Sequence, residues 1–179
     1  MADKAMPLIG LVVAQLRETF SANQKTPPLG GGTEAVRFLG GDGIPVAVWN
    51  GHRTSCGCQE PMLWVRVVRR YRTAVLPDEQ YGDRNGGCAD PRAITIEAGV
   101  LRCAVTDAEP TWEDLEQEAL TQLDDAYRLD IALGRAMCCA EENSIIHASL
   151  LAAGEPWGPE GAMIAWTQWA HAQLTDSSR

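Results

Sequence analysis

A strand pattern that runs into a long helix pattern, between residues 94 and 137, constrains this fold more than any other feature. From Ile94 to Leu101 the residues alternate between two faces, as in a β-strand with one buried side. One face carries Ile94, Ile96, Ala98 and Val100, and the other carries Thr95, Glu97, Gly99 and Leu101. A sheet that offers an apolar face to a helix is a common two-layer core, so we expect this pair to form the centre of the domain.

The helix pattern begins at a recognisable start signal. Pro110 precedes Thr111, a favoured N-cap residue, and Asp114 stands three residues later in the capping-box position. Acidic residues fill the first turns, where the helix dipole favours negative charge. The stripe expected to face the sheet consists of Leu115, Ala119, Leu123, Ala126, Tyr127, Ile131 and Gly134. The expected solvated face carries Asp124, Asp125 and Asp130.

Periodicity elsewhere predicts one more helix and two more strands. The helix covers residues 6–20, and strands over 62–75 and 93–105 form an antiparallel pair, with a last strand over 162–172. A short strand over 45–49 and a turn over 51–61 precede that pair, and Gly and Pro residues over 154–161 predict a rigid turn. Residues 145–151 fit either a helix or a strand.

Two glycine-rich and proline-rich segments, residues 24–45 and 77–91, are predicted to be long loops, the first with a short extended piece over 35–39. Loops of this length inside one domain are usually functional. The sequence therefore predicts a single α+β domain over residues 1–179. Its mainly antiparallel sheet is packed by an N-terminal helix and one long helix.

Charge and hydropathy exclude several classes of protein. The net charge of -9 argues against a general nucleic-acid binder, which would carry a basic face. Neither a secretory signal nor an apolar run of membrane-spanning length is present. We therefore expect the protein to be made and kept in a reducing cytoplasm, or in a particle assembled there.

The cysteines leave more than one interpretation open. The six are Cys56, Cys58, Cys88, Cys103, Cys138 and Cys139. Mostly free thiols are expected in a reducing compartment, and pairing of Cys56 or Cys58 with Cys88 is an alternative. A zinc module built on Cys56, Cys58, Cys88 and Cys103, with His52 nearby, is a further alternative, although a Cys-x-Cys pair lacks the usual spacing of zinc ligands. A nucleophilic cysteine would need a base such as His147, and no spacing places that ring on a sulfur.

Positive charge concentrates on one predicted strand of this acidic protein. The four side chains are Arg66, Arg69, Arg70 and Arg72. They are either a solvated sheet face or a contact with an acidic surface of a neighbouring subunit, since charge complementarity sets register and partner choice. The six tryptophans also suit large buried contacts.

Two stretches resemble a known family. One is IEAGVLRCAV, followed by the Pro-Thr helix start and a long acidic helix with Asp124 and Asp125; the other is PWGPEGAMIAWTQWAHAQL near the C-terminal end. Together they resemble the tail terminator, or neck, proteins of long-tailed phages of actinobacteria. The resemblance covers about residues 63–172 and the first helix. The family's last turn often carries a further Gly and Cys, whereas here Gly161 is followed by Ala162 and Met163, so another head-to-tail connector component, a stopper or an adaptor, is the alternative.

The resemblance implies a structural virion protein without catalytic residues or cofactors. Six copies would close into a ring in the phage neck that ends the tail tube and joins it to the head connector. The predicted partners are further copies of the chain, the tail-tube protein and the connector protein. The four arginines would contact neighbouring subunits, and the loops 24–45 and 77–91 would reach adjacent rings. DNA would pass without specific binding, because an acidic bore repels phosphate.

Overall fold

A six-stranded, mostly antiparallel sheet forms the centre of the molecule. The computed structural model describes residues 3–44, 46–56, 60–79, 91–160 and 162–175, apart from the side chains of residues 46 and 53–56. In chain order the elements are α1 (Ala5–Thr19), β1 (Val36–Leu39), α2 (Val46–Cys56), β2 (Met62–Arg72), β3 (Arg92–Cys103), α3 (Trp112–Glu142), β4 (Ile146–Leu151), β5 (Glu155–Glu160) and β6 (Met163–Leu174). The predicted α+β fold, with an N-terminal helix and one long helix, is confirmed.

The strands follow the order β1-β2-β3-β6-β4, and β5 also pairs with β6. Only β1 and β2 run parallel among the described strand pairs. β2 and β3 pair antiparallel as predicted, and β3 pairs with β6 along its whole length. The segment 145–151, which fitted two interpretations, contributes the strand β4.

Two apolar clusters lie on opposite faces of the sheet. The larger one packs α1 and α3 against the face of Leu63, Ile96 and Ala172. The smaller one consists of Trp49, Met62, Trp64, Leu101 and Ala165, so α2 covers part of the other face. We call this second face, which neither α1 nor α3 covers, the open face. Burial of such large side chains stabilises a fold by about 1.5–3 kcal/mol each.

Three predictions of local structure are wrong. Residues 46–49 begin a helix rather than a strand, and the turn predicted over 51–61 continues that helix to Cys56. In the helix, Trp49 points inward and packs in the small cluster. The prediction failed because so short a run of residues fits either a helix or a strand. The rigid turn predicted over 154–161 contains β5, whose backbone pairs Trp157 with Ala165. The proline and glycine residues there are tolerated because β5 is an edge strand.

The long helix α3 begins as predicted. The Thr111 hydroxyl accepts a hydrogen bond from the backbone N–H of Asp114 at 3.1 Å, and the Asp114 carboxylate accepts one from the backbone N–H of Thr111 at 3.2 Å. These bonds form the expected capping box. The helix then continues to Glu142, beyond residue 137 where the predicted pattern ends.

The orientation predicted for α3 is wrong. The expected inward stripe faces solvent over its first half, with Leu123 67% exposed and Tyr127 66% exposed. The buried side instead consists of Thr121, Asp125, Arg128, Leu129, Ala132, Leu133, Ala136, Met137 and Ala140. Alanines four residues apart give this side a flat surface that packs closely against the core, and two ion pairs neutralise its charged residues.

Candidate functional site

The four arginines of β2 do not share one face of the sheet. Arg66 lies opposite Glu97 and Arg69 lies opposite Thr95, which places both on the open face. Val68 is an extra residue between them, and this β-bulge moves Arg70, opposite Ile94, to the helix-covered face. Arg72 follows on that same face, because alternate residues of a strand point to one side. The bulge therefore prevents a continuous positive surface.

These arginines also have partners within the chain. Arg66 pairs with Glu97 at 2.7 Å, Arg69 Nη1 lies 3.2 Å from Glu79 Oε1, and Arg70 Nη1 lies 2.8 Å from Asp3 Oδ2. The Arg69 guanidinium also lies over the Tyr71 ring, 4.6 Å from its centroid. Arg72 has an interaction within the chain as well. Contact with a neighbouring subunit stays a prediction for all four.

Glu97 on β3 is the centre of a buried polar cluster on the open face. Its Oε1 accepts hydrogen bonds from Arg66 Nε at 2.7 Å and from Trp64 Nε1 at 3.2 Å. Its Oε2 accepts from Arg66 Nη2 at 2.7 Å and from Trp169 Nε1 at 2.9 Å. Two strands, β2 and β6, thus supply donors to one carboxylate on β3, which fixes the side chains around it.

The electrostatics of this cluster follow from its hydrogen bonds. Burial disfavours the charged carboxylate of Glu97, but the bonds from Arg66, Trp169 and Trp64 outweigh burial and lower its pKa. The same bond to Glu97 raises the pKa of Arg66. The pair is therefore held fully ionised near neutral pH, and its two charges cancel.

A pocket of about 640 Å³ opens beside this cluster on the open face. Its lining includes Gly43, Ile44, Trp49, Asn50, Trp64, Arg66, Glu97, Leu101, Glu155, Pro156, Trp157, Glu160, Met163, Ala165 and Thr167. Trp49 is 3% exposed, and its indole Nε1 has no acceptor in the part of the chain that the structure describes. Indole rings and two exposed carboxylates, those of Glu155 and Glu160, give the pocket an aromatic and acidic character.

A second ion-pair network ties the loop after α1 to α3. The side chain of Arg102 binds Asp125 twice and also donates to the carbonyl oxygens of Gly30 and Gly31. Arg128 pairs with Asp124 at 2.7 Å and donates to carbonyl oxygens of Thr19, Thr26 and Pro27. The first part of the predicted loop 24–45 is therefore anchored to α3.

The aspartates predicted to form a solvated face divide between two environments. Asp125 is 2% exposed, so the prediction is wrong for this residue, whereas Asp130 is exposed and accepts a hydrogen bond from Gln168 at 2.9 Å. Burial raises the pKa of Asp125 above its usual value, although the ion pair with Arg102 on β3 compensates part of that cost. Sequence distance hides this relationship, since 23 residues separate the partners.

An exposed row of large apolar side chains follows the outer side of α3. We call it the apolar ridge, and its members are Trp112, Leu115, Leu120, Leu123 and Tyr127. Trp112 is 86% exposed, the largest exposed fraction in this row. Single exposed apolar residues are ordinary, whereas larger exposed apolar patches are typical of interaction surfaces.

The cysteine predictions have a mixed outcome. Cys138 and Cys139 are free, but Cys103 is disulfide-bonded, so the expectation of a free thiol is wrong there. Cys58 and Cys88, like the side chain of Cys56 and most of the loop 77–91, lie outside the described residues. Among the described residues no group of three His, Cys, Asp or Glu side chains has the geometry of a metal site. A disulfide occupies the Cys103 sulfur that the zinc alternative requires as a thiolate.

The open-face cluster was not predicted from the sequence. The sequence placed Glu97 correctly on the face opposite Ile96, and it indicated Arg66 by its charge. No sequence pattern indicated that these two residues form an ion pair. The signal was an acidic residue on the mostly uncharged β3, because such a carboxylate needs a partner on a neighbouring strand.

Comparison with known proteins identifies no relative of this chain. The chain matches no protein-family model, and no curated protein sequence matches it. None of the helices in the described ranges is both long and apolar enough to cross a membrane.

Proposed function

We propose that this protein is a structural subunit of a closed ring in the neck of a long-tailed phage. The ring would end the tail tube and join it to the head connector. The family resemblance of residues 63–172 suggests this role, and the apolar ridge on α3 is the structural observation that supports it most strongly. An assembly subunit needs apolar surface that stays exposed until its partner arrives.

The ridge is a favourable association surface because of its composition and its setting. Trp112, Leu123 and Tyr127 are each more than half exposed, and their helix is held rigidly by its capping box and by two ion pairs on its inner side. Aromatic side chains dominate the energetics of protein interfaces. Burial of this row would contribute about 25 cal/mol for each Å² of apolar surface removed from water.

The overall charge also suits a conduit for DNA. A chain of net charge -9 repeated around a ring produces a strongly negative assembly, which repels phosphate and lets DNA pass without being held. In this proposal the protein performs no chemical reaction and needs no cofactor. Its work is assembly, and the open-face cluster and the anchored loop serve to keep the subunit rigid.

The proposal is tested by measuring assembly. The purified protein is examined by multi-angle light scattering and negative-stain electron microscopy, alone and with the tail-tube protein encoded by the same genome. We expect rings of defined mass that bind one end of the tubes. Rings that bind only the connector protein would instead support the stopper or adaptor role. A strict monomer that joins neither partner would contradict the proposal.

A further inference from the structure

The two ends of the sheet are chemically unlike. At one end, β1 has a single neighbouring strand, β2, among the described strands. Arg37 and Phe38 on β1 are exposed, Phe38 by 52%, and Arg37 forms no ion pair with another described residue. At the other end, β5 pairs only with β6 among the described strands, and all six of its residues are exposed. One end is thus basic, and the other carries Glu155 and Glu160.

The acidic end adjoins the pocket on the open face. Glu155 and Glu160 line this pocket together with Trp157, which is 42% exposed. Arg66 and Glu97 cancel each other, and among the described residues Glu155 and Glu160 form no ion pair, so the lining keeps their two negative charges beside indole rings. A guanidinium group fits such a site, since aromatic faces and carboxylates both attract it.

We propose that Arg37 of one copy enters the aromatic pocket beside β5 of the next copy, where it meets Glu155 and Glu160. This inference rests on the ring function proposed above and names the contact between neighbouring subunits. It joins opposite ends of the same sheet, so the interface is heterologous. Repetition of such a contact closes into a ring when the rotation between copies permits it.

The position of Arg37 suits this contact. Its neighbour across the parallel pair is Trp64, so both lie on the open-face side of the sheet. Leu39, two residues further along, packs against the small cluster on that same face. An incoming β1 would therefore present its guanidinium from the same side of the sheet on which the receiving pocket opens.

The receiving pocket also contains an unmet donor. The Nε1 of Trp49 is buried without an acceptor among the described residues, and such a group is costly to leave unpaired. The outer edge of β1 carries backbone carbonyl oxygens that β2 does not use, as every edge strand does. A small adjustment of the Trp49 ring on binding would let one of these oxygens accept its hydrogen bond.

Charge exchange tests the contact. The variants are R37E, E155R/E160R and the triple variant that combines them, with K25E as a matched control because Lys25 is exposed but lies in neither surface. Far-ultraviolet circular dichroism and thermal unfolding establish that each variant is folded. Light scattering across a concentration series then gives the concentration at which half of the protein is assembled.

We expect R37E and E155R/E160R each to raise that concentration at least tenfold, and K25E to leave it unchanged. The triple variant, whose charges are again complementary, should assemble nearly as well as the wild type. Rings of unchanged stability in R37E and E155R/E160R, or no recovery in the triple variant, would overturn this contact while the ring function stands. A wild type that never assembles, alone or with tubes, would overturn both.

Discussion

Arg102 and Asp125 join the sheet to α3 by two parallel hydrogen bonds, Nε to Oδ2 at 2.6 Å and Nη2 to Oδ1 at 2.7 Å. Both side chains are less than a tenth exposed. The pair compensates part of the cost of burying Asp125 on the inner side of α3, where a carboxylate without a counter-charge would be strongly unfavourable. With this side inward, the apolar ridge lies on the exposed side of α3.

Replacing Asp125 by alanine should lower the free energy of unfolding by about 3–5 kcal/mol, because the variant leaves Arg102 buried without its counter-charge. Urea denaturation followed by circular dichroism measures this loss. E116A on the same helix is the control, since Glu116 is exposed and should change stability by less than about 0.5 kcal/mol. A loss below about 1 kcal/mol in D125A would mean that the pair does not fix the helix.

Acid should weaken the fold through Glu97. Its folded-state pKa is lowered below the usual 4.5, so its contribution to stability is complete above about pH 4.5. That contribution is lost as the pH falls through the lowered pKa, because the unfolded chain then binds the proton more readily. Urea midpoints measured from pH 7 to pH 3 should therefore fall for the wild type.

The variant E97Q isolates this effect. It should be less stable than the wild type at pH 7 by about 3–5 kcal/mol, because Arg66 loses its paired charge. It should also lose less stability than the wild type between pH 5 and pH 3, whereas E109Q, at an exposed position, should follow the wild type. Parallel acid profiles for E97Q and the wild type would show that another carboxyl group governs this range.

Gly99 is required where the Trp64 ring crosses β3. A side chain at residue 99 would overlap the six-membered part of that ring, which is 1% exposed. We expect G99A to lower the free energy of unfolding by about 1–3 kcal/mol through overpacking. G10A is the matched control of opposite sign, because nothing lies within 4 Å of a Cβ there and alanine favours the helix α1 by about 0.5–1 kcal/mol. Thermal unfolding of both variants measures the two effects.

The apolar ridge should affect assembly without affecting folding. In L123S/Y127S the exposed positions contribute little to the isolated subunit, so each change should shift its stability by less than about 0.5 kcal/mol. Loss of two apolar interface side chains, worth about 1.5–3 kcal/mol each when buried, should raise the half-assembly concentration at least tenfold. Light scattering measures this change, and Q117S, on the same helix, provides the control. Normal assembly of L123S/Y127S would remove the ridge from the interface.

Local sequence signals were enough for the main elements of the fold. Side chains of the two faces alternate over long runs in β2, β3 and β6. The capping residues Thr111 and Asp114 mark the start of α3. These signals depend on neighbours a few residues apart, so they do not need the rest of the chain. The strand predicted over residues 45–49 is part of a helix for the opposite reason, because burial of Trp49 against the open face of the sheet decided its structure.

The open-face cluster and its pocket could not be predicted from local sequence signals. Arg66 was singled out for its charge, yet its partner Glu97 is 31 residues away on another strand. The bulge at Val68, which separates the arginines onto two faces, follows from pairing with β3 and leaves no mark in the composition of β2. The pocket collects residues from β2, β3, β5 and β6 and from the segment around α2, so only the folded chain brings them together.

The sequence by itself determined where β2, β3, β6 and the long helix lie, because alternation and capping act between near neighbours. Tertiary structure alone decided which side of α3 is buried, since the helix offers apolar residues on both sides. On the inner side, Leu129, Leu133 and Met137 pack into the core, and Arg102 of β3 pairs with the buried Asp125. Contacts with residues distant in the sequence therefore decided the orientation of α3, which the local apolar pattern does not determine.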